Sequence, residues 1–443
     1  MKIAHFTNTF LPHVGGVARA VQTMLEDQRH AGHRSLVVAP EFAEGAAPRA
    51  IERHVARIPA LTNFNNSDFS VRLPFAAALS ERLSKFRADI LHAHHPFLLG
   101  DTALREAATR QVPIVFTHHT LYERYTHYLP VESEALGNFA AEVATRFANR
   151  CAAVVAPSES VRDLIVSRGV TVPVHAIPTG IDTARLASGQ GKRARSRWKI
   201  PADALVIGHL GRLAPEKNLP FLAEAVALAL KKNTGARALI VGDGPSREEM
   251  DKIFADQGVA DRVVFTGKLT GARLLDACAA MDLFAFASTS ETQGLVLAEA
   301  MAAGSPVIAL DASGVREVVR DGENGLLLPS DAPADVFASS LQEALEDRKR
   351  LARWSEAAIA TAADLDRAKT SARLLALYTE LIDTRRAETK DDSAFTRAIK
   401  PVVERIATEG RIIADKTGAL IDAVNGNAPE VSADAPAPVP ATA

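Results

Sequence analysis

Ser288–Leu310 reads S-T-S-E-T-Q-G-L-V-L-A-E-A-M-A-A-G-S-P-V-I-A-L. An apolar run before it, Leu283–Ala287, has the length and composition of a buried strand. A polar loop follows and ends at Gly294, where a helix over about Leu295–Ala303 begins. Pro306 closes the unit ahead of a further strand, Val307–Leu310. A helix start presents unpaired N–H groups and a partial positive charge, so it suits a phosphate, and Gly294 lets the backbone come close to a ligand. Glu299, about one turn into the helix, is placed to accept hydrogen bonds from ribose hydroxyls. Glu291, eight residues earlier, would lie at the reacting end of the same ligand. The spacing suits a sugar nucleotide laid across a helix start. It equally describes an ordinary strand–loop–helix with two solvated glutamates.

Outward from this unit the chain repeats one pattern, strand, polar or glycine-bearing loop, helix, strand. It starts with Lys2–Phe6, the loop Thr7–Gly16 and a helix over Val17–Ala31. The pattern runs to a strand at Val172–Ile177 and restarts at Leu205–Leu210 after a connector containing Pro178-Thr179-Gly180-Ile181-Asp182. Such alternation predicts an α/β protein with two doubly wound, Rossmann-like parallel sheets. We expect a first domain over 1–180 and a second over 183–363. Asp331–Ala363 is expected to be helical, and a helix over 366–388 to cross back to the first domain. An amphipathic helical tail over 389–426 and a disordered Ala/Pro tail over 427–443 complete the division. In the tail Phe395, Ile399, Val402, Ile406, Ile413, Leu420 and Val424 recur at three-, four- and seven-residue steps. Pro401 and Gly410 weaken it as one continuous helix; the stripe suits packing on another helix, on the body or on a membrane, and self-packing or oligomerisation is expected ahead of membrane binding.

Composition narrows the function. The formal net charge over 443 residues is −2, which argues against a nucleic-acid binder. Twelve of the 13 histidines lie at or before His175, so any histidine chemistry belongs to the first half. Cys151 and Cys278 stand far apart in apolar surroundings and read as buried thiols of a reduced compartment. The chain opens straight into a strand, so no secretory leader is expected, and no apolar run is long enough to span a bilayer.

Ligands of two such domains are expected in the cleft between them, at the carboxyl ends of the strands. The polar motifs fall at those ends: Gly15-Gly16, His92–His95 and His118-His119 in the first half, and Arg212 with Lys217, Gly242–Gly244 and Glu291 to Glu299 in the second. Arg212 and Lys217 are suited to a diphosphate whose charge grows as a sugar departs; alone they would be two solvated cations. His119 is expected to face the reacting sugar and His118 to point the other way. His92-x-His94-His95 invites a metal reading, but no carboxylate or cysteine stands at ligand spacing, so a polar cleft wall is expected and no metal site.

E-T-Q-G-L-V-L-A-E-A-M-A-A-G-S-P-V resembles the E-x7-E signature of retaining family 4 glycosyltransferases of the GT-B fold. G-R-L-A-P-E-K-N, V-G-D-G-P, the early G-G-V and P-T-G-I-D resemble further motifs of that family in the same order, over about Met1–Arg386. H-H-P-F-L-L-G-D and T-H-H-T-L-Y-E-R-Y-T-H-Y look like the bacterial diacylglycerol glucosyltransferases, and Gln293, where phenylalanine is usual, is similar to members that glycosylate lipids. The resemblance implies that Gly16 admits the donor phosphate and the acceptor, and that His119 lies next to the reacting sugar. Arg212 and Lys217 would hold the diphosphate, Glu291 the transferred sugar and Glu299 the ribose, while the amides of Leu295 and Val296 cap the phosphate. It implies transfer with retention from a UDP- or GDP-sugar, by front-face attack, with no metal cofactor.

A lipid acceptor would require an anionic membrane surface, with the protein cytoplasmic and peripheral to the inner face of the cytoplasmic membrane. Arg82 and Lys85 beside Phe75, Leu79 and Phe86, and Tyr122 and Tyr125 with Arg124, offer basic and aromatic groups for it. Those apolar residues would serve as well in the core. Transfer to a soluble or polysaccharide acceptor, a sugar-nucleotide 2-epimerase and a non-catalytic binder are the other readings.

Overall fold

The computed structural model describes residues 1–13, 15–41, 49–61, 71–72, 77–121, 134–288, 291–390 and 392–424. The chain divides into two compact units, Met1–Pro178 with the chain from Thr370 on, and Thr179–Lys369.

The first unit runs β1 (Lys2–Phe6), α1 (Gly16–His30), β2 (Arg34–Pro40), α2 (Arg49–Glu52), β3 (Val55–Ile58), a short antiparallel pair β4 (Ala60–Leu61) and β5 (Val71–Arg72), and α3 (Ala77–Phe86). It continues β6 (Ile90–Ala93), α4 (Leu99–Arg110), β7 (Ile114–Thr117), α5 (Glu134–Ala148), β8 (Ala153–Ala156), α6 (Glu159–Ser167) and β9 (Val174–Ala176). Seven parallel strands lie in the order β3-β2-β1-β6-β7-β8-β9. The order reverses between β1 and β6, where doubly wound sheets open a crevice at their carboxyl ends. Strand side chains alternate between two faces, so each strand feeds two cores. Ala4 and Phe6 pack with Leu91, Phe116 and Val154 on one side, and Ile3 with Ile90, Val115 and Val155 on the other.

The second unit runs α7 (Thr183–Ala187), α8 (Gly191–Arg197), β10 (Leu205–Leu210), a 3-10 turn at Pro215–Lys217, α9 (Leu219–Lys232), β11 (Ala236–Val241), α10 (Arg247–Asp256) and β12 (Val263–Phe265). Then come α11 (Gly271–Cys278), β13 (Leu283–Phe286), α12 (Leu295–Ala302), β14 (Val307–Leu310), α13 (Ser313–Arg316), β15 (Gly325–Leu328), α14 (Ala334–Glu346) and α15 (Arg348–Asp364). Its six parallel strands lie in the order β12-β11-β10-β13-β14-β15, reversing between β10 and β13. Leu283 and Ala285 enter one core, Phe284 and Phe286 the other. The helical stretch expected over Asp331–Ala363 consists of two helices. Asp347 interrupts it, because its side chain accepts from the Arg350 N–H at 2.9 Å and caps α15.

Two helices follow. In α16 (Arg367–Thr389), Leu374, Leu377, Tyr378 and Ile382 are buried against Ile3, Ile90, Val115 and Val155 of the first sheet. The last, α17 (Ala394–Val424), is one helix of 31 residues with Pro401 inside it, so Pro401 and Gly410 do not interrupt it. Gly410 costs a helix only about 1 kcal/mol, and contacts with α4 and α5 hold α17 in place. Residues 427–443, expected to be disordered, lie outside the described residues, as do Tyr122, Tyr125 and Phe75.

The helix proposed as a membrane element needs correcting. Leu79 and Leu83 of α3 are buried in the core of the first unit and Phe86 packs on it. Lys85 pairs with Glu81 one turn away, and Arg82 is exposed with a guanidinium nitrogen 3.5 Å from the Arg53 carbonyl. The described apolar side chains of α3 are thus taken up by the core of the first unit and not offered to a lipid surface. Among the described residues no helix is long and apolar enough to cross a membrane.

Candidate functional site

The second unit gathers its polar motifs where its strand order reverses. The loop after β10 carries Arg212 and Lys217; the loop after β13 carries Glu291. Since β10 and β13 are neighbours, the two loops meet, and Lys217 Nζ pairs directly with Glu291 Oε1. Each of these side chains is only about a fifth exposed, at 21% and 18%, so the ion pair is shielded from bulk water. Ser288 Oγ also donates to the Glu216 carbonyl at 3.3 Å, a second tie between the loops. Arg212 is exposed and Glu299 half-buried on α12.

Gly294 starts α12 in a left-handed conformation, φ +69°. A Cβ there would lie 2.7 Å from the Gly314 carbonyl oxygen, so glycine is required. The Gly314 N–H donates to the Glu291 carbonyl at 3.0 Å, which fixes the Glu291 loop on the start of α13. Leu295 and Val296 supply first-turn N–H groups that have no acceptor within the helix. Gly314 was not singled out in the sequence, because a small residue opening a short helix has no distinguishing pattern.

The Arg212 loop is fixed in a similar way. Leu213 N–H donates to the Asp243 carbonyl at 3.0 Å, and Ser246 N–H to the Leu213 carbonyl at 2.9 Å. Gly242 has φ +146°, and a Cβ there would fall 1.8 Å from the Gly211 carbonyl oxygen. Gly242→Ala is therefore expected to destabilise the second unit by about 3 kcal/mol or more. A urea midpoint unchanged from wild type would contradict this packing.

Gln293 has a structural place that the sequence did not suggest. It is 7% exposed; its Oε1 accepts from the Thr179 N–H at 2.9 Å and its Nε2 donates to the Thr179 carbonyl at 2.7 Å. Both ends of the amide are spent on backbone, so the residue clamps the segment entering the second unit. It gives no information about an acceptor.

The first unit holds a buried histidine chain. His119 Nε2 is 2.9 Å from His94 Nδ1, His94 Nε2 is 3.0 Å from His5 Nδ1, and His5 Nε2 is 2.9 Å from Gln28 Oε1. Gln28 Oε1 also accepts from Ser35 Oγ at 2.7 Å. An amide oxygen only accepts, so His5 must carry its proton on Nε2. His5 Nδ1 is then an acceptor, His94 donates from Nε2, and His119 in turn donates from Nε2. Gln28 thus sets the tautomer of three imidazoles in series. Burial drives their pKa values down: His5 to about 4, His94 well below its ordinary value with the neighbouring histidines adding to the effect, and His119 to about 3 with help from His95 and His118. All three are neutral at pH 7.

The polar wall expected of His92, His94 and His95 is an interior instead: the three are 0%, 0% and 7% exposed. His92 is held by the Tyr378 hydroxyl and by Thr117 Oγ1 at 2.6 Å, and the Asn8 N–H donates to His95 Nδ1 at 3.1 Å. His5, His92 and His94 bring ring nitrogens within 4.8 Å of one another. All six of their nitrogens have protein partners, which accounts for the cluster as a hydrogen-bond network. His118 turns away from His119 and packs edge-on against Phe116. Gly16 opens α1, and a Cβ added to it would meet nothing within 4 Å.

The family profile described as glycosyltransferase family 4 matches residues 14–185, and that of glycosyl transferases group 1 matches residues 191–361. The chain is 31% identical over 316 residues to the alpha-monoglucosyldiacylglycerol synthase of Streptococcus pneumoniae, covering 70% of this chain and 71% of that protein. It is 31% identical over 359 residues to a GDP-mannose-dependent alpha-mannosyltransferase of Mycobacterium tuberculosis, covering 80% and 90%. The chain belongs to the group 1 and family 4 glycosyltransferases.

Among solved structures this glycosyltransferase resembles Anabaena HepE in complex with UDP and glucose, with a TM-score of 0.67 and 24% identity over 86% of this chain and all of that one. It also resembles a sucrose-phosphate synthase of Thermosynechococcus elongatus, with a TM-score of 0.69 and 20% identity over 86% of this chain and 99% of that one. These likenesses establish the GT-B fold for the glycosyltransferase, with one Rossmann-like parallel sheet in each unit.

Proposed function

We propose that this glycosyltransferase moves a hexose, with retention, from a UDP- or GDP-sugar to a lipid acceptor such as diacylglycerol. The observation that carries the donor half is the Lys217–Glu291 pair across the β10/β13 switch point, beside the start of α12. In this reading Lys217 leaves Glu291 for the diphosphate and shares its charge with Arg212. The amides of Leu295 and Val296 meet a phosphate oxygen, with Gly294 keeping the approach open, and Glu299 accepts from the ribose. Glu291, released from Lys217, holds the transferred sugar. These groups supply the positive charge that the leaving diphosphate requires, so the reading calls for no metal cofactor.

The sugar C1–O bond breaks as the acceptor oxygen bonds to C1 on the same face. The acceptor proton passes to the leaving phosphate oxygen, so charge and atoms balance. The family resemblance assigns neutral His119 to the reacting sugar and Gly16 to the donor phosphate and the acceptor. The lipid acceptor is supported by what two relatives are called, the alpha-monoglucosyldiacylglycerol synthases of Streptococcus pneumoniae and Acholeplasma laidlawii. It would place the protein on the cytoplasmic face of the membrane. A soluble acceptor is supported by the similarity to a D-inositol 3-phosphate glycosyltransferase of Nocardia farcinica, 31% identical over 348 residues.

Incubation with UDP-glucose, UDP-galactose and GDP-mannose and a total lipid extract, read by mass spectrometry, decides between them. A lipid heavier by one hexose, with an α-linkage, is expected. Transfer to inositol phosphate and to no lipid would replace the acceptor; hydrolysis or epimerisation alone would remove the reading.

A further inference from the structure

Helix α17 sits on the first unit the wrong way round for an ordinary surface helix. Ten large apolar residues are substantially exposed among the described residues, and seven lie on this helix, so they form a patch rather than scatter. They are Ile399, Val402, Val403, Ile406, Ile413, Leu420 and Ile421, with Ile406 and Ile413 at 69% and 65%. At about 100° per residue these positions fall within one stripe roughly 100° wide.

The side turned to the protein is held mainly by charge. Among the described side chains of the helix, the buried apolar ones are Ile412, Ala419 and Ala423. All four acids of α17 are engaged by the first unit: Glu404 accepts from Gln111 at 2.7 Å, and Glu409, Asp415 and Asp422 pair with Arg105, Arg150 and Arg146 at 2.6, 2.8 and 2.7 Å. Lys416 is likewise taken by Asp101. What remains outside beside the stripe is cationic, since Arg405 lies exposed along one edge and Arg411 along the other.

We propose that the outward stripe of α17 docks this protein on an anionic lipid surface, the isoleucines entering the acyl boundary and Arg405 and Arg411 meeting phosphate headgroups. Apolar side chains rimmed by arginine, with every acid of the helix already paired to the protein, are the chemistry such a surface selects. A second copy fits less well. Two stripes face to face would bring arginines together while all the acids that could answer them are already paired to the protein, and Gly410 and Thr417 would leave gaps along the seam. This replaces the self-association expected from the periodicity alone. The inference rests on the helix itself and stands whether the acceptor is a lipid or not.

The test uses the full chain without donor or acceptor, sedimented with vesicles of phosphatidylcholine alone or mixed with phosphatidylglycerol. Binding to the mixed vesicles is expected, and little to the neutral ones. Ile406→Glu with Ile413→Glu, both at exposed positions, should lower the bound fraction about tenfold or more. Arg405→Glu and Arg411→Glu should each lower it about fivefold. Urea midpoints equal to wild type show that the variants fold. No sedimentation with either vesicle, or sedimentation indifferent to the paired isoleucine substitutions, overturns the proposal. So does a dimer in solution that those substitutions dissolve without any vesicle binding, which would give the stripe to a second copy. Because no sugar transfer is read, these outcomes are independent of the acceptor experiment.

Discussion

Lys217→Ala is expected to lower kcat/KM by about 10²–10³-fold, the usual loss when one group stabilising a developing anion is removed. The variant loses a cation and also leaves Glu291 without its partner at the place where a diphosphate must arrive. Donor KM should therefore rise as kcat falls. Glu291→Gln keeps size and removes charge, so it separates electrostatics from shape; Glu291→Ala should lose at least as much. The two side chains form one pair. The double variant should accordingly lose little more than the worse single one, far short of the product of the two effects. Nucleotide release during transfer measures this, with circular dichroism confirming the fold. Wild-type turnover in well-folded Lys217→Ala or Glu291→Ala would remove the site from the second unit's switch point.

The second large effect is loss of the first unit in mild acid. His5, His92, His94 and His95 are buried and neutral, with pKa values driven well below 6.5 by desolvation. In the unfolded chain each titrates near 6.5. Below that pH the unfolded state binds protons that the native state refuses until its own lower pKa values are reached. Stability is therefore fully present above about pH 6.5 and declines as pH falls toward 4. His5 and His95 alone give a loss of about 2–3 kcal/mol between pH 7 and 5.5 and about 4 by pH 5, and His92, His94 and His119 add to it in the same direction, together a large share of the stability of a typical domain. Far-UV circular dichroism should show the first unit unfolding between about pH 5 and 5.5, ahead of the second, which holds one such residue, His209. His95→Gln should move the midpoint downward if its packing survives. A first unit still native at pH 4.5 would contradict the neutral histidine network.

The two sheets were legible because their strands are short, mainly apolar runs alternating with helical periods, and burial on both faces leaves that trace. The Lys217–Glu291 encounter was half legible. Both residues could be placed at strand ends, but their pairing depends on β10 lying beside β13, which no local pattern states. The chain from His119 to Gln28 was hidden for the same reason. It needs His5 on β1 opposite His92 on β6, 87 residues apart in sequence. The periodicity of α17 was visible, yet its orientation was not. A helix with apolar and acidic faces can dock by either, and here Arg105, Arg146 and Arg150 on α4 and its neighbours select the acidic one. The tie from Gln293 to Thr179 was hidden as well, because it joins residues 114 apart that no local pattern brings together.

The contact of Gly242 with the Gly211 carbonyl bears on any attempt to redesign donor choice. The segment from Gly211 to Lys217 and the turn after β11 touch backbone to backbone, with no side chain between them to absorb a change of shape. A library varying Arg212 through Lys217 alone therefore explores far fewer folded sequences than its size suggests. Insertions there would displace a second loop that was never mutated. Altered specificity is more accessible through point changes of side chains, or by exchanging both loops together as one cassette.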